Sequence, residues 1–112
     1  MFYELREYRI LPGQMDNWVN FMQEVIIPFQ SGQGMIIVGS FTSTEEDDLY
    51  IWMRRFENEE DRVNLYEKVY ESQTWKSEIG PKITSLMDRD RIVVRRISPS
   101  SKSIIKYLYR VC

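Results

Sequence analysis

The chain has 112 residues, of which 43% are hydrophobic and 29% charged, a composition typical of one globular domain and not of a disordered segment. Its 15 Lys and Arg residues against 17 Asp and Glu give a net charge of -2, so it lacks the basic excess that nucleic-acid binding requires. The longest mostly apolar runs, 25–29 and 35–41, fall far short of the roughly 20 residues that cross a bilayer, so we expect no membrane partner.

The two ends of the chain carry few functional signals. Residues 1–7 place acidic side chains in an alternating pattern, unlike a signal peptide or a basic transit peptide, and this predicts a cytoplasmic location. The single cysteine, Cys112, is the last residue and cannot form a disulfide within the chain.

The first half of the sequence begins with a strand and a helix. Aromatic and branched residues from 2 to 10, followed by Leu11-Pro12-Gly13, predict a strand and a turn. Apolar residues recur at three- and four-residue spacing from 14 to 29, which predicts a helix with one buried face. Pro28 should end or bend this helix near Ile27.

A hairpin and a second helix follow. The segments 35–42 and 49–56 have the composition of strands, and the acidic turn at 43–48 should join them as a hairpin. Asn58 can cap a helix whose first turn holds the acidic residues 59–61, because negative charge is favourable at that end of a helix.

The last part of the chain is less regular. Residues 73–87 have a helical pattern in pieces, which Gly80-Pro81 should interrupt, and residues 91–97 predict a fourth strand. We therefore expect one domain over residues 1–98 and a tail of unclear structure over residues 99–112.

The order of these elements is strand, helix, strand, strand, helix, strand. This order predicts an α+β fold of the ferredoxin-like βαββαβ kind, with a four-stranded antiparallel sheet and the helices on one face. A domain this small has a limited core, so association with a second copy would add useful apolar burial.

In this topology the first and third strands are central, and the two-residue period sorts their side chains onto two faces. The most apolar sets, Tyr3 and Leu5 with Leu49, Ile51 and Met53, are predicted to pack under the helices. The opposite face then receives Phe2, Glu4, Arg6, Tyr8, Tyr50, Trp52, Arg54 and Phe56.

This mixed aromatic and charged face is poorly suited to water, so something should cover it. One interpretation is a dimer interface in which Glu4 pairs with Arg6 or Arg54 and the aromatic rings stack. The other is a cavity between the sheet and a partner, where these groups bind a small acidic or aromatic molecule. The interface is favoured, and the two can coexist.

The opening Tyr3-Glu4-Leu5-Arg6, followed by Tyr8 and Leu11-Pro12-Gly13, resembles the start of NIPSNAP domains, and Trp18 and Trp75 fit the same pattern. The resemblance spans nearly the whole domain, from residue 2 to about residue 97. It implies a dimeric α/β barrel, in which two ferredoxin-like sheets face each other and enclose a cavity. The wider superfamily that it implies includes small monooxygenases, haem-degrading enzymes, isomerases and dehalogenating enzymes, so the fold permits many chemistries.

The residue types restrict this range. The chain has no histidine, which excludes His-dependent catalysis and a histidine haem ligand. Gly32 and Gly34 are not followed by the Lys-Ser or Lys-Thr of a phosphate loop, and Cys112 alone makes no metal site. The four carboxylates at 45–48 could attract a divalent cation, but such a run is more often a solvated turn. We therefore expect no metal and no cofactor.

What remains is a site in which Glu4 or a tyrosine moves a proton and Arg6 or Arg54 holds an anion. Burial would raise the pKa of Glu4 while a neighbouring arginine would lower it, so if Arg6 lies beside Glu4 we expect an ionised, structural carboxylate. Trp18 and Trp75 are more simply interpreted as core residues.

Two functions stay open. The first is a homodimeric protein that binds a small organic ligand in the cavity between sheet faces, as a cofactor-free monooxygenase or isomerase. The residues predicted to line that cavity are Glu4, Arg6, Tyr8, Tyr50, Trp52 and Arg54. The second is a non-enzymatic interaction module, in which outer surfaces or the apolar and basic tail at 103–112 bind another protein. The alternative for this tail is that it packs on its own domain.

Overall fold

The structure, a computed structural model, describes residues 1–107 of the chain. Its four strands are β1 (Phe2–Ile10), β2 (Ile36–Thr42), β3 (Leu49–Phe56) and β4 (Met87–Ile97). They form one antiparallel sheet in the order β2-β3-β1-β4. The predicted βαββαβ order and the central places of β1 and β3 are confirmed. β4 begins at Met87, earlier than the predicted Arg91.

The helices are α1 (Met15–Phe21), α2 (Ile27–Gly32), α3 (Glu59–Tyr70) and α4 (Gly80–Ile83). A π-helical segment, Met22–Ile26, joins α1 to α2, and a second one, Trp75–Ile79, leads into α4. A short 3-10 turn spans Ile104–Tyr107.

Each π-helical segment lies just before a proline. Pro28 is the second residue after the first segment, and Pro81 is the second residue after the other. Proline has no N–H for an α-helical hydrogen bond, and a π turn shifts the bonding to a carbonyl one residue further back. The helix therefore continues through Pro28 to Gly32, where the sequence predicted an end or a bend near Ile27.

α3 begins as the sequence predicts. The Asn58 side-chain Oδ1 accepts a hydrogen bond from the backbone N–H of Asp61 at 2.8 Å, and Glu59, Glu60 and Asp61 form the first turn. The cap satisfies one of the donors that a helix start leaves unpaired, and the acidic turn complements the helix dipole.

The prediction of which sheet face lies under the helices is wrong. Tyr8, Tyr50 and Trp52 are buried against helix residues, whereas Leu5, Ile51 and Met53 lie on the opposite face and are only half-buried. The helix residues in this core are Trp18, Phe21, Met22, Ile26, Ile79 and Ile83. Aromatic side chains bury the largest areas, and the charged Glu4 and Arg54 of this face become tolerable because helix side chains supply them with hydrogen-bond partners.

The face away from the helices is open and mixed: it carries apolar side chains and the ion pair of Glu7 with Arg95. Phe41 is 52% exposed and Val93 is 41% exposed, and both share this face with the half-buried Leu5, Ile51 and Met53. We call this surface the open face. Its apolar side chains are grouped around the middle of β3 and its neighbouring strands, where a second molecule would cover them.

One end of the open face is covered by the chain itself. The Tyr3 hydroxyl donates a hydrogen bond to the backbone carbonyl of Ile105, and Tyr3 is buried. The start of the predicted tail therefore packs on its own domain, although Ile104 points outward with 96% of its surface exposed. Residues 108–112, including Cys112, lie outside the described residues.

Within residues 1–107, no helix has both the length and the apolar character needed to span a membrane.

Candidate ligand-binding site

A buried ion cluster lies between the sheet and α3. Glu4 on β1 is directly opposite Arg54 on β3, and the Arg54 Nη2 lies 2.5 Å from Glu4 Oε1. Arg6 Nη1 contacts the same oxygen at 3.3 Å. The Tyr66 hydroxyl, from α3, donates to the Glu4 carboxylate at 2.6 Å. One carboxylate thus holds two strands and a helix together.

Arg54 is fully buried, and the helices make this possible. Its Nη1 donates to Gln30 Oε1 at 2.9 Å and to the Tyr70 hydroxyl at 2.8 Å. Its guanidinium also lies over the Trp52 ring, 4.8 Å from the centroid. A charge this deep persists only where it is paired and hydrogen-bonded, and this cluster supplies both kinds of partner.

The surroundings fix the charge states of the cluster. Burial by itself would raise the pKa of Glu4, but the Arg54 charge and the hydrogen bonds from Tyr66 and Arg54 together lower that pKa below its usual value. Burial raises the pKa of Tyr66 to about 12, so its hydroxyl stays neutral and donates. Glu4 is therefore an ionised structural group beside two arginines, as expected for this pairing, and is unsuited to hold a proton near neutral pH.

The lowered pKa of Glu4 predicts a pH-dependent stability. A folded pKa below the unfolded value stabilises the fold above about pH 4.3, and this contribution is lost as the pH falls through the folded pKa. At pH 7 we expect Glu4→Gln to cost about 3 kcal/mol in the free energy of unfolding, because the buried Arg54 and the half-buried Arg6 lose their counter-ion. The cost should shrink as the pH falls from 5 towards 3.

Urea unfolding of both proteins at pH values from 3 to 7 measures this difference. Glu67→Gln, an exposed change on α3, is the control and should leave the pH dependence unaltered. Parallel stability curves for Glu4→Gln and the unaltered protein would contradict the assigned role of Glu4.

Beside the ion cluster lies a cavity of about 210 Å³ between the helices and the sheet. Its walls are aromatic and aliphatic, with two arginines at the edge. The lining residues are Arg6, Tyr8, Trp18, Met22, Ile26, Trp52, Tyr70, Trp75, Ile83, Met87, Arg89 and Ile92. Pockets of this kind, mostly apolar with a few polar groups, are typical of small-molecule sites.

The irregular segments of the fold meet at this cavity. The first π-helical segment contributes Met22 and Ile26, and the second contributes Trp75. In the β1–β4 pairing, residues 89–92 lie opposite Tyr8 alone, and this bulge contributes Arg89 and Ile92. Both π-helical turns and β-bulges are over-represented at functional sites, because they aim side chains where regular elements cannot.

The cavity edge is rich in hydrogen-bond donors. Arg6, with 15% of its side chain exposed, donates from Nε to the Tyr8 hydroxyl at 2.7 Å. Trp18 and Trp52 bury their indole N–H groups without a hydrogen-bond acceptor among residues 1–107. Buried donors are normally paired, so two unpaired indoles at one cavity are unusual.

The structure brings five of the six predicted site residues together. Arg6, Tyr8 and Trp52 line the cavity, and Glu4 and Arg54 form the adjoining ion cluster. They lie beneath the helices of one protomer, so the predicted position between two facing sheets is wrong. The sixth residue is Tyr50, whose hydroxyl pairs with that of Ser40 and whose ring contacts Trp18.

Several lining residues were missed by the sequence interpretation. Trp18 and Trp75 were assigned to the core, and both also line the cavity. Tyr70 and Arg89 carried no signal of their own, because their roles depend on the helix and the bulge that place them. The two prolines could have indicated the irregular helices, since each follows a π-helical segment.

The acidic turn at residues 45–48 is bound to a strand. Arg9 on β1 forms ion pairs with Glu46 and Asp48, both at 2.9 Å. The part of the chain that the structure describes contains no group of three or more His, Cys, Asp or Glu side chains arranged to hold a metal ion.

Several solved structures of other proteins have a fold similar to that of this chain. A NIPSNAP family protein from Agrobacterium tumefaciens is similar with a TM-score of 0.81 and 24% identity, over 93% of this chain and 97% of that one. An uncharacterised NIPSNAP domain protein from Burkholderia xenovorans matches with a TM-score of 0.80 and 15% identity, over 92% and 98%. An antibiotic biosynthesis monooxygenase has a TM-score of 0.64 and 10% identity, over 89% and 99%.

The sequence gives a family directly. No curated protein matches the chain. The NIPSNAP family model matches residues 3–100, which include β3, all of β1 except Phe2, the ion cluster and every lining residue of the cavity. The chain therefore belongs to the NIPSNAP family, as the opening residues of β1 suggested.

Proposed function

We propose that this protein binds a small organic molecule in the cavity between the helices and the sheet of each protomer. One observation carries the proposal: both π-helical segments and the β4 bulge supply lining residues to the same cavity. Each irregular segment costs stability, and chance does not explain why three of them meet at one cavity. A shared ligand site explains all of them.

The size of the cavity indicates the size of the ligand. An apolar cavity of about 150 Å³ is known to hold benzene. The volume here is about 210 Å³, which leaves room for one ring and one or two small substituents. The aromatic walls favour a flat molecule, because rings pack well edge-on and offset against other rings.

A cofactor-free isomerase or monooxygenase is the enzymatic form of this proposal. The Tyr8 hydroxyl at the cavity edge is the group best placed to exchange a proton with a ligand. Burial raises the pKa of Tyr8, so it would begin as a proton donor. The likeness to an antibiotic biosynthesis monooxygenase supports the fold and leaves the reaction to be tested.

We also propose that two copies associate through the open face. The half-buried Leu5, Ile51 and Met53 and the exposed Phe41 and Val93 support this, because a second copy would remove them from water. The ligand cavity lies on the other side of the sheet. A homodimer would therefore hold two separate cavities, and binding and association can be measured independently.

The cavity can be tested by blocking it. Ile92, half-buried at the bulge, is replaced by phenylalanine so that the added ring fills the cavity, and Val93→Phe, on the open face of the same strand, is the matched control. A panel of single-ring compounds is screened by saturation-transfer NMR. Compounds that bind the unaltered protein should lose at least about tenfold in affinity, or about 1.4 kcal/mol, with Ile92→Phe and be unchanged with Val93→Phe.

Two outcomes contradict the proposal. If compounds bind both variants equally, they occupy another surface. If no compound in the panel binds, and the protein purified without additives carries no small molecule by native mass spectrometry, the interaction module becomes the better interpretation.

All three tryptophans of the chain line the cavity, so quenching of their fluorescence gives an independent measure of occupancy.

A further inference from the structure

The polar groups at the cavity can all donate hydrogen bonds. Arg6, Arg89, Tyr8 and Tyr70 present guanidinium and hydroxyl groups, and the three tryptophans present indole N–H groups. Among the described lining residues there is no carboxylate and no side-chain amide. A cavity edged by donors is matched to a ligand that offers acceptors.

The hydrogen bonds of Arg6 leave part of its guanidinium for such a ligand. Its Nε donates to Tyr8, and its Nη1 donates to Glu4 and to Tyr66. Within residues 1–107, the Arg6 Nη2 donates no hydrogen bond. The Tyr8 hydroxyl accepts from Arg6 and keeps its own hydrogen. A ligand oxygen beside these two residues would therefore meet two donors, the Arg6 Nη2 and the Tyr8 hydroxyl.

Positive charge exceeds negative charge around Arg6 and Tyr8. Arg6 and Arg54 share the single carboxylate of Glu4, which leaves one net positive charge in a largely buried cluster. Arg89 on the bulge adds another cation at the rim, where its Nη2 donates to the Gly80 carbonyl at 3.0 Å. In a poorly solvated site an excess charge attracts an anion more strongly than it would in water.

The remaining walls select the rest of the ligand. The Tyr8 ring meets the rings of Trp18 and Trp52 edge to face at the cavity. Its centroid lies 5.8 Å from the Trp18 centroid and 6.2 Å from the Trp52 centroid. We propose that the cavity takes a planar single-ring organic anion, with an aromatic carboxylate as the chemical class. Its carboxylate lies at Arg6 and Tyr8, and its ring lies among the tryptophans. This inference rests on the proposed function and specifies its ligand.

Benzoate and benzamide are the probes, because they differ in charge and hardly in shape. Dissociation constants come from tryptophan fluorescence and calorimetry. Benzoate should bind at least about tenfold more tightly than benzamide, as expected for a charge-assisted hydrogen bond. Acetate, which has the charge without the ring, should bind at least about tenfold more weakly than benzoate.

Variants identify the group that recognises the charge. Arg6→Gln should weaken benzoate about tenfold and change benzamide by less than about twofold. Arg89→Gln, at the exposed rim and outside the ion cluster, should weaken benzoate about threefold and remains available if Arg6→Gln does not fold. Arg91→Gln, exposed and outside the cavity lining, is the control and should have no effect.

The possible failures are distinguishable. Equal binding of benzoate and benzamide, or benzoate binding that survives both Arg6→Gln and Arg89→Gln, would overturn the anion class while the cavity proposal stands. Equal binding of acetate and benzoate would show that the ring is not recognised, and would overturn the aromatic part of the proposal. If neither probe binds while other compounds in the panel lose affinity with Ile92→Phe, the class is wrong and the cavity proposal stands. If no compound binds at all, both proposals fall.

Discussion

Replacing Arg54 by methionine should lower the free energy of unfolding by about 3–5 kcal/mol, a large share of the roughly 5–15 kcal/mol typical of a whole domain. The side chain is fully buried and pairs with Glu4 across the two central strands. Methionine fills much of the same space but offers nothing to the carboxylate. The cost is therefore that of a buried charge left with weaker partners, and only secondarily that of lost packing.

A double variant separates the two causes. If the unpaired Glu4 is the main cost, Arg54→Met with Glu4→Leu should be less destabilised than the sum of the single changes, because no carboxylate is left without its partner. Arg91→Met is the surface control. Arg91 is exposed and lies 4.0 Å from Asp48, and its loss should cost at most about 1 kcal/mol.

Urea unfolding followed by tryptophan fluorescence gives the free energies of unfolding of the unaltered protein and of the four variants. A cost below about 1 kcal/mol for Arg54→Met would mean that Glu4 is well satisfied by Arg6 and Tyr66 alone. Strict additivity of the two single changes would mean that Glu4 and Arg54 do not act as a pair. Either result would contradict the description of the ion cluster.

Much of the fold could be predicted from local patterns. β1 and β3 begin and end at the predicted residues, and Asn58 caps α3 as expected. These features depend on neighbours within a few positions, where composition, alternation and capping are informative. The order of the elements then fixed the central strands, because the ferredoxin-like connection has few alternatives.

The face of the sheet could not be predicted in the same way. Residue by residue, Leu49, Ile51 and Met53 are more apolar than Tyr50 and Trp52, and the alternation favoured burying them. That comparison leaves out partners that are distant in sequence. Tyr66 and Tyr70 satisfy the charged residues of the other set, and no local pattern indicates that α3 places these hydroxyls over the sheet.

The error itself is informative about assembly. Both residue sets of the central strands are largely apolar or aromatic, so each face of the sheet needs cover. The helices cover one face and bury Trp52 and Tyr8, whereas the other face keeps Ile51 and Met53 only half-buried. A helical layer on one side and a second copy on the other would satisfy both faces without further elements.

A single charge on the open face should therefore dissociate the proposed homodimer. Ile51 lies between Glu7 and Phe41 in the strand register, in the interior of this face. Ile51→Asp places a carboxylate beside Glu7, where like charges repel, and in a two-fold interface the change occurs twice. The desolvation of two such charges should cost at least about 3 kcal/mol, which weakens association more than a hundredfold.

Light scattering during size-exclusion chromatography measures the mass of the unaltered protein and of each variant. Val63→Asp is the control, since Val63 is an exposed apolar residue on α3, on the helix side of the sheet. The unaltered protein and Val63→Asp should elute as dimers, and Ile51→Asp as a folded monomer that still binds single-ring compounds, because the cavity lies beyond the sheet from the change. An unaltered protein that is already monomeric would show that the open face needs no second copy. A dimer that survives Ile51→Asp would show that association uses another surface.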